Sequence, residues 1–332
     1  MEKSQYKHIH VFAEQREGVI QNVSLELLGE ARKLVEKLNG EKVVALLLGH
    51  NISDKSQELI SYGADEVIVV DAPELQQYTT EPYTQAITQI INEKKPSIML
   101  IGATTIGRDL GPRLSGRVQT GLTADCTALD IAEEGHLLMT RPAFGGNLMA
   151  TITCKEHRPQ MSTVRPGVMI KNVADPSRKG TVEQFTVKFD PSKFKVKIKE
   201  TIKEARHTVD IIDAKILISG GRGVGSTEGF KKLHDLANVL KAEVSSSRAM
   251  VDAGVMTHCR QVGQTGKTVR PDVYFALGIS GAIQHVAGME CADYIIAINK
   301  DKFAPIFQNA DLGIVGDLHQ IVPLLTDRLA KI

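Results

Sequence analysis

Tryptophan is absent from the 332 residues, and aromatic side chains make up only 5%. A surface that holds single-stranded nucleic acid by stacking bases needs more rings than that. An excess of one charge is also missing: 40 Lys and Arg face 39 Asp and Glu, a formal net charge of +1. That balance gives no electrostatic reason to expect nucleic acid or an acidic membrane surface as partner. The four cysteines, Cys126, Cys154, Cys259 and Cys291, form no CxxC pair, and no metal-ligand spacing emerges. This argues against an iron–sulfur cluster or structural zinc held by the chain, and it suits a reducing compartment. No apolar run approaches the roughly 18 residues of a membrane helix, so no membrane insertion is expected. The first seven residues carry neither an apolar signal core nor an Arg/Ser-rich transit pattern, so a cytoplasmic location is expected. No Ser-His-Asp pattern stands out either.

What is present is an ordinary globular composition, 42% hydrophobic and 24% charged, over a length that allows two domains. Apolar runs at 8–13, 43–48, 67–70 and 97–101 alternate with helical periodicities near 23–38, 55–62 and 83–93. That alternation predicts βαβ units and a mostly parallel sheet. The loop from Gly102 to Thr105 opens another helix containing Arg108 and Asp109. It reads either as part of a nucleotide or subunit-contact surface or as a plain helix start with solvated charges. Beyond Thr127 the period shortens. His136–Thr140, Leu148–Thr153 and Met161–Val164 predict strands of an antiparallel extension, with a turn-rich link over 141–147. Cys126 reads as a small packed side chain. Lys193, Lys195, Lys197 and Lys199 alternate with apolar residues, which predicts one solvated strand face rather than a polyanion site. The domain boundary is placed at 206/207.

In the second domain the strand Ala214–Ile218 runs into Gly220-Gly221-Arg222-Gly223-Val224-Gly225-Ser226. This is a glycine-rich strand-to-helix loop, although Ser226 stands where a GxGxxG fingerprint needs its last Gly. Small residues allow close approach, and helix N–H groups with Arg222 offer positive potential to a pyrophosphate. Gly266-Lys267-Thr268 imitates the end of a triphosphate-binding loop, but Gln261 occupies the position of its first Gly, so that reading fails. Val273–Leu277 predicts a buried strand between two glycine-punctuated loops, Gly263–Gly266 and Gly278–His285, the second opening a helix at Ser280-Gly281-Ala282. Arg222, Ser247, Ser280, Asn299 and Asp317 each fall just after a predicted strand. In an open parallel sheet those ends share the ligand-binding edge.

The stretches VGQTGKTVRPDVYFALGISGAIQHVAGM and IIAINKDKFAPIFQNADLGIVGDL resemble the FAD-binding domain of the alpha subunit of electron-transfer flavoprotein. The resemblance covers essentially the whole chain and is most specific from Gly220 to Asp317. It implies an α/β protein of two domains. Residues 1–206 would be a mostly parallel α/β domain with an antiparallel extension, contacting a beta subunit; 207–332 would be a Rossmann-like FAD-binding domain. By position it implies that FAD is held by Arg222, Ser247, Arg248, Val262, Gly263, Gln264, Thr265, Ser280, Gly281, Ala282, Ile283, Gln284, His285, Asn299, Asp317 and Leu318. Thr265 would approach the flavin N5 edge, His285 would donate to the N1–C2 carbonyl edge, and Arg248 would lie near the ring. A donor and a cation there favour negative charge on that edge.

The resemblance further implies a heterodimer whose beta subunit carries AMP, or a second FAD with an NAD site. It implies electron delivery to an acyl-CoA-type dehydrogenase. The segment TTIGRDLGPRLSGRVQTGLTADCT is similar to prokaryotic members, including electron-bifurcating ones, which extends the partners to ferredoxin or flavodoxin. The chain lacks the N-terminal ferredoxin-like cysteine cluster of some bifurcating relatives. Two other readings stay open: an NAD-dependent oxidoreductase, and a nucleotide-binding regulatory module with adenine nucleotide in the N-terminal domain.

Overall fold

Strand β1 (Ile9–Ala13) is buried at every residue. Its side chains alternate between two cores: Ile9, Val11 and Ala13 join one apolar cluster and Phe12 the other. A strand covered on both faces belongs inside a helix-flanked parallel sheet. The computed structural model, which describes residues 3–143, 148–201 and 210–331, places it there. The chain separates into two compact units, Met1–Ile202 and Lys203–Ile332. The expected boundary at 206/207 lies outside the described residues, as do 144–147 of the predicted turn-rich link.

In the first unit β1 leads to the hairpin β2 (Gln15–Arg16) and β3 (Val19–Ile20), then α1 (Asn22–Glu36), β4 (Val43–Gly49), α2 (Ser56–Ser61) and β5 (Glu66–Asp71). There follow α3 (Thr80–Lys94), β6 (Ile98–Gly102), α4 (Thr105–Val118), β7 (Leu122–Cys126), β8 (Ala128–Ile131), β9 (Leu137–Ala143), β10 (Leu148–Ile152), β11 (Gln160–Val164) and β12 (Thr181–Gln184). The large sheet has the order β12-β5-β4-β1-β6-β11-β7, all pairs parallel. Strands β8, β9 and β10 form the expected antiparallel extension.

Two expectations are corrected here. Residues 161–164 do not belong to the extension; β11 is inserted between β6 and β7 in the parallel sheet. Gln160, Ser162 and Thr163 break its apolar run and disguise a strand that is buried throughout. Burial is tolerated because the polar groups are paired: Gln160 Oε1 accepts from Leu137 N at 2.9 Å, and Thr163 Oγ1 accepts from Asp125 N at 3.0 Å. The Lys193–Lys199 run is not a strand face either. A single 3₁₀ turn, Pro191–Lys193, is capped by Asp190, and the residues after it pair with no strand among the described residues. Alternation alone cannot make a strand without a neighbour to complete its ladder.

Cys126 is fully buried, and burial raises its thiol pKa, which fits a packed side chain. Beside it, Asp125 adopts φ +61° and accepts from Arg165 Nε at 3.2 Å and Nη2 at 2.8 Å. Arg165 is only 5% exposed in its side chain. Asp125→Ala removes this partner from a buried guanidinium and places a Cβ without polar compensation in the left-handed region. A destabilisation of about 3 kcal/mol is expected. Asp125→Gly, which loses the ion pair but tolerates the backbone, should lose about 1 kcal/mol less. Denaturant unfolding of the two variants measures the difference.

The second unit comprises β13 (Ile216–Gly220), α5 (Thr227–Leu240), β14 (Glu243–Ser246), α6 (Arg248–Asp252), β15 (Val273–Leu277), α7 (Ile283–Val286), β16 (Ile295–Asn299), β17 (Leu312–Val315) and α8 (Leu318–Leu329). Its sheet runs β14-β13-β15-β16-β17, again all parallel. Helices α5 and α8 cover one face through Leu233, Leu236 and Val322. Tyr274 and Ala276 face the other side, where Ile279, Met289 and Ile306 pack. The chain crosses from β14 over β13 to reach β15, so the sheet reverses its direction of growth between β13 and β15. The loops leaving those two strands cannot both be covered by one crossover helix, and the crevice between them is where such sheets take ligands.

Candidate functional site

The two loops at this reversal touch each other through glycine. A Cβ on Gly221 would stand 2.4 Å from Gly278 O, and one on Gly223 would stand 2.8 Å from Gly278 Cα. Gly278 itself has φ +63° and faces Leu318 Cδ2. The glycines of the β13 loop therefore serve chain-to-chain contact as much as approach to a ligand. The expected helix follows that loop directly, at Thr227. Within the loop lies a 3₁₀ turn, Arg222–Val224, and α5 begins behind its own cap, Ser226, whose Oγ accepts from Gly229 N at 3.3 Å.

A cavity of about 900 Å³ opens at this edge of the second unit. Of the residues expected at a site, Arg222, Ser247, Arg248, Val262, Gly263, Thr265, Ser280, Ala282, Gln284, His285 and Asn299 line it. Gln264, Gly281, Ile283, Asp317 and Leu318 do not. Gln264 contributes its backbone N–H to Gln284 O at 2.7 Å. Gly281 is the pivot where the chain passes Ile306. Ile283 points to solvent, 45% exposed. Asp317 caps α8, accepting from His319 N at 2.9 Å, and pairs with Lys300 at 3.1 Å; these partners hold its carboxyl below the usual range. Leu318 is buried in the apolar layer beneath. The helix expected to open at Ser280 is the single turn α7, so it offers little dipole to an anion.

Gly223, Gln261, Gly278, Asp301 and Pro305 also line the cavity and were not among the expected residues. Gly223 and Gly278 belong to the glycine loops, and nothing local signals the others. Gln261 orders its neighbour: it is buried, and Nε2 donates to Thr265 Oγ1 at 3.0 Å. Asn299 is a strut, with Nδ2 donating to Ile279 O at 2.9 Å and Oδ1 accepting from Asp301 N at 3.0 Å. Arg248 is exposed and 3.4 Å from Asp252, one helical turn away. Arg222 is exposed at the mouth and has no ion-pair partner among the described residues.

His285 is 7% exposed. Its Nε2 lies 2.9 Å from the Tyr274 hydroxyl, while Nδ1 is buried without a partner of hydrogen-bond geometry. Burial pushes its pKa down to about 4. Between that value and the ordinary 6.5 the unfolded chain binds a proton that the folded one does not. Stability therefore falls as pH falls through this window. His285→Gln is expected to flatten the pH 6.5-to-4 limb of the second unit's stability by up to one proton, measured by denaturant unfolding at pH 7, 6, 5 and 4.

The matching edge of the first unit is differently furnished. Its sheet reverses between β1 and β6, where Glu14 is 1% exposed, accepts from Arg16 Nη2 at 2.9 Å and is hydrogen bonded by Thr104. A buried carboxylate at that position disfavours a phosphate. Thr104 also caps α4, and Asp109 is exposed, in line with the plain helix-start reading, while accepting from Thr80 Oγ1 at 2.7 Å.

Fold and cavity together define a class: a parallel α/β protein of two units, with a nucleotide-sized cavity at the reversal of its second sheet. Comparison with known proteins narrows it. Residues 9–190 match the electron transfer flavoprotein domain, and 210–290 match the electron transfer flavoprotein FAD-binding domain. The chain is 56% identical to the electron transfer flavoprotein subunit alpha of Thermoanaerobacterium thermosaccharolyticum, covering 98% of this chain and 99% of that one. It is 55% identical to Protein FixB of Clostridium saccharobutylicum, over 100% and 99% respectively. It is 42% identical to the lactate dehydrogenase (NAD(+),ferredoxin) subunit LctC of Acetobacterium woodii, over 98% of this chain and 77% of that one. The chain belongs to the electron transfer flavoprotein alpha-subunit family, and its role is electron transfer. No helix among the described residues is long and apolar enough to cross a membrane.

Proposed function

We propose that the cavity of the second unit holds FAD and that the chain works as the FAD-carrying half of a heterodimer with a beta subunit. The observation that carries this is the convergence of Arg222, Ser247, Ser280, Thr265 and His285 on one cavity at the sheet reversal. The wall suits the group. It offers an exposed guanidinium for a pyrophosphate, a buried and unpartnered His285 Nδ1 for a heterocycle, and loops so close that a Cβ would not fit between them.

FAD, when bound, accepts and releases electrons singly or in pairs. The residues around it bind and orient. Arg222 neutralises phosphate charge at the mouth, with Ser247 and Ser280 as hydroxyl partners. Thr265, steadied by Gln261, approaches the N5 edge. His285, neutral at physiological pH, donates to the carbonyl edge, and Arg248 adds a positive field there without being buried. The electron acceptor is proposed to be an acyl-CoA-type dehydrogenase, a reading supported by 47% identity to the acryloyl-CoA reductase electron transfer subunit beta of Anaerotignum propionicum. The A. woodii relative, named for NAD(+) and ferredoxin, favours a bifurcating system in which the beta subunit bears a second FAD and the NAD site.

The test is flavin content and reduction by NADH of the chain co-expressed with its beta subunit. Two FAD per heterodimer, reduced by NADH, support the bifurcating form. One FAD with AMP, inert to NADH but reduced through an acyl-CoA dehydrogenase, means a simple carrier. A folded complex without flavin contradicts both.

A further inference from the structure

Beneath the cavity lies a buried polar cluster that binding of a flavin does not by itself explain. Tyr274 on β15 has no exposed surface. It pairs in register with Leu217, and the next residues on the same face are Ala276, Ser219 and Ser245, which pair with one another across three strands. These small side chains leave room for the phenol to run toward the carboxyl edge of the sheet, where its oxygen meets His285 Nε2 at 2.9 Å. Ser219 and Ser245 are fully buried and set their hydroxyls toward the phenol without reaching hydrogen-bond geometry. A tyrosine in a core normally packs its ring and sends its hydroxyl to water or a backbone carbonyl. Here the hydroxyl goes to the imidazole that lines the cavity.

We propose that Tyr274 is a positioning residue: its hydroxyl donates to His285 Nε2 and so holds the imidazole's single proton on Nδ1, the nitrogen left to serve a carbonyl of the bound ligand. Three features set the direction of this hydrogen bond. Both partners are neutral, since burial raises the pKa of the phenol and lowers that of the imidazole. Among the described residues no other group reaches hydrogen-bond geometry with the buried phenol, so its proton is satisfied only by Nε2. Nδ1 is buried at the cavity wall with no partner of hydrogen-bond geometry, so with Nε2 taken as acceptor by the phenol the ring's single proton is on Nδ1. His285 thus enters the cavity as a donor of fixed sense. A neutral imidazole without this restraint divides its population between two tautomers, and one of them turns a lone pair on the ligand carbonyl.

The ligand half of the inference rests on FAD binding as proposed above; the tautomer half does not. The experiment is ¹⁵N NMR of the complex labelled in histidine and stripped of flavin, with His285 assigned from His285→Gln. The expected spectrum shows Nε2 as an unprotonated acceptor and Nδ1 protonated. Tyr274→Phe, which keeps the ring volume, is expected to shift proton density to Nε2 and to weaken FAD uptake about tenfold in a titration of the stripped protein. A protonated Nε2 in the wild type overturns the proposal, and that spectrum decides alone should the variant not fold. Ring-nitrogen signals unchanged in a folded Tyr274→Phe overturn it as well. A wild type that takes up no FAD contradicts the proposed function instead, and leaves the ring-nitrogen result standing.

Discussion

Gly281→Ala empties the C-terminal cavity of flavin: that is the expected result, although Gly281 itself does not line the cavity. The residue has φ +86°, and a Cβ there would stand 2.1 Å from Ile306 N, 2.5 Å from Ile306 Cα and 2.7 Å from Pro305 C. All three are backbone atoms, so no side chain can swing aside. The left-handed conformation costs an L-residue about 1–2 kcal/mol, and forcing a group into packed space adds about 1–3. The displaced segments are those that build the site. Ile306 N donates to Ser280 O at 3.1 Å, and Ser280, Ala282 and Pro305 all line the cavity. A loss of about 2–5 kcal/mol at the site corresponds to a weakening of FAD binding by roughly 30- to 5,000-fold. A melting temperature lower by about 10 °C for the second unit is expected alongside. Flavin content after purification and thermal unfolding with and without added FAD measure both. Gly225→Ala is the control. Gly225 shares the positive φ, +81°, but a Cβ placed on it would meet nothing within 4 Å. It should retain flavin.

The second large effect is electrostatic. Arg222→Glu is expected to weaken FAD binding about 1,000-fold and to invert its dependence on salt. Arg222 is exposed at the cavity mouth without an ion-pair partner among the described residues, so its charge is available to a ligand. A hydrogen bond to a charged group contributes about 1.5–3 kcal/mol, and replacing the cation by an anion adds repulsion of similar size. Arg222→Lys keeps the charge but loses the fork and should lie between the two. Riboflavin, which has no phosphate, separates this from general damage. Its weak binding should be the same in wild type and Arg222→Glu, as read by quenching of flavin fluorescence. Equal losses for FAD and riboflavin place the effect in folding rather than in the pyrophosphate contact.

The parts of this molecule that could be read from the sequence are those written in short-range pattern. The run Val273–Leu277 is a strand with those same ends. The alternation of apolar runs and helical periods predicted the parallel sheet of the first unit. The reading that Arg222, Ser247, Ser280 and Asn299 follow strands, and therefore share an edge, needed only strand ends, and all four line one cavity. Asp317 follows its strand too, but β17 is at the sheet's far edge, and there the carboxylate caps a helix instead. Strand order, which decides this, depends on pairing between distant segments. The same limit hid β11, whose buried polar residues find partners on Leu137 and Asp125. It hid the Tyr274–His285 contact as well, because the periodicity that marks Tyr274 as a core residue does not reveal what its hydroxyl meets.

Flavin binding in the second unit is tested most directly by the flavin content of the purified complex of this chain with its beta subunit, compared between wild type and Arg222→Glu. FAD released by denaturation is counted per heterodimer. The variant complex, folded and assembled, is expected to contain one FAD fewer than the wild type. An equal FAD content in the two complexes would contradict the assignment, because the flavin would then be bound independently of the cavity at the reversal of the second sheet.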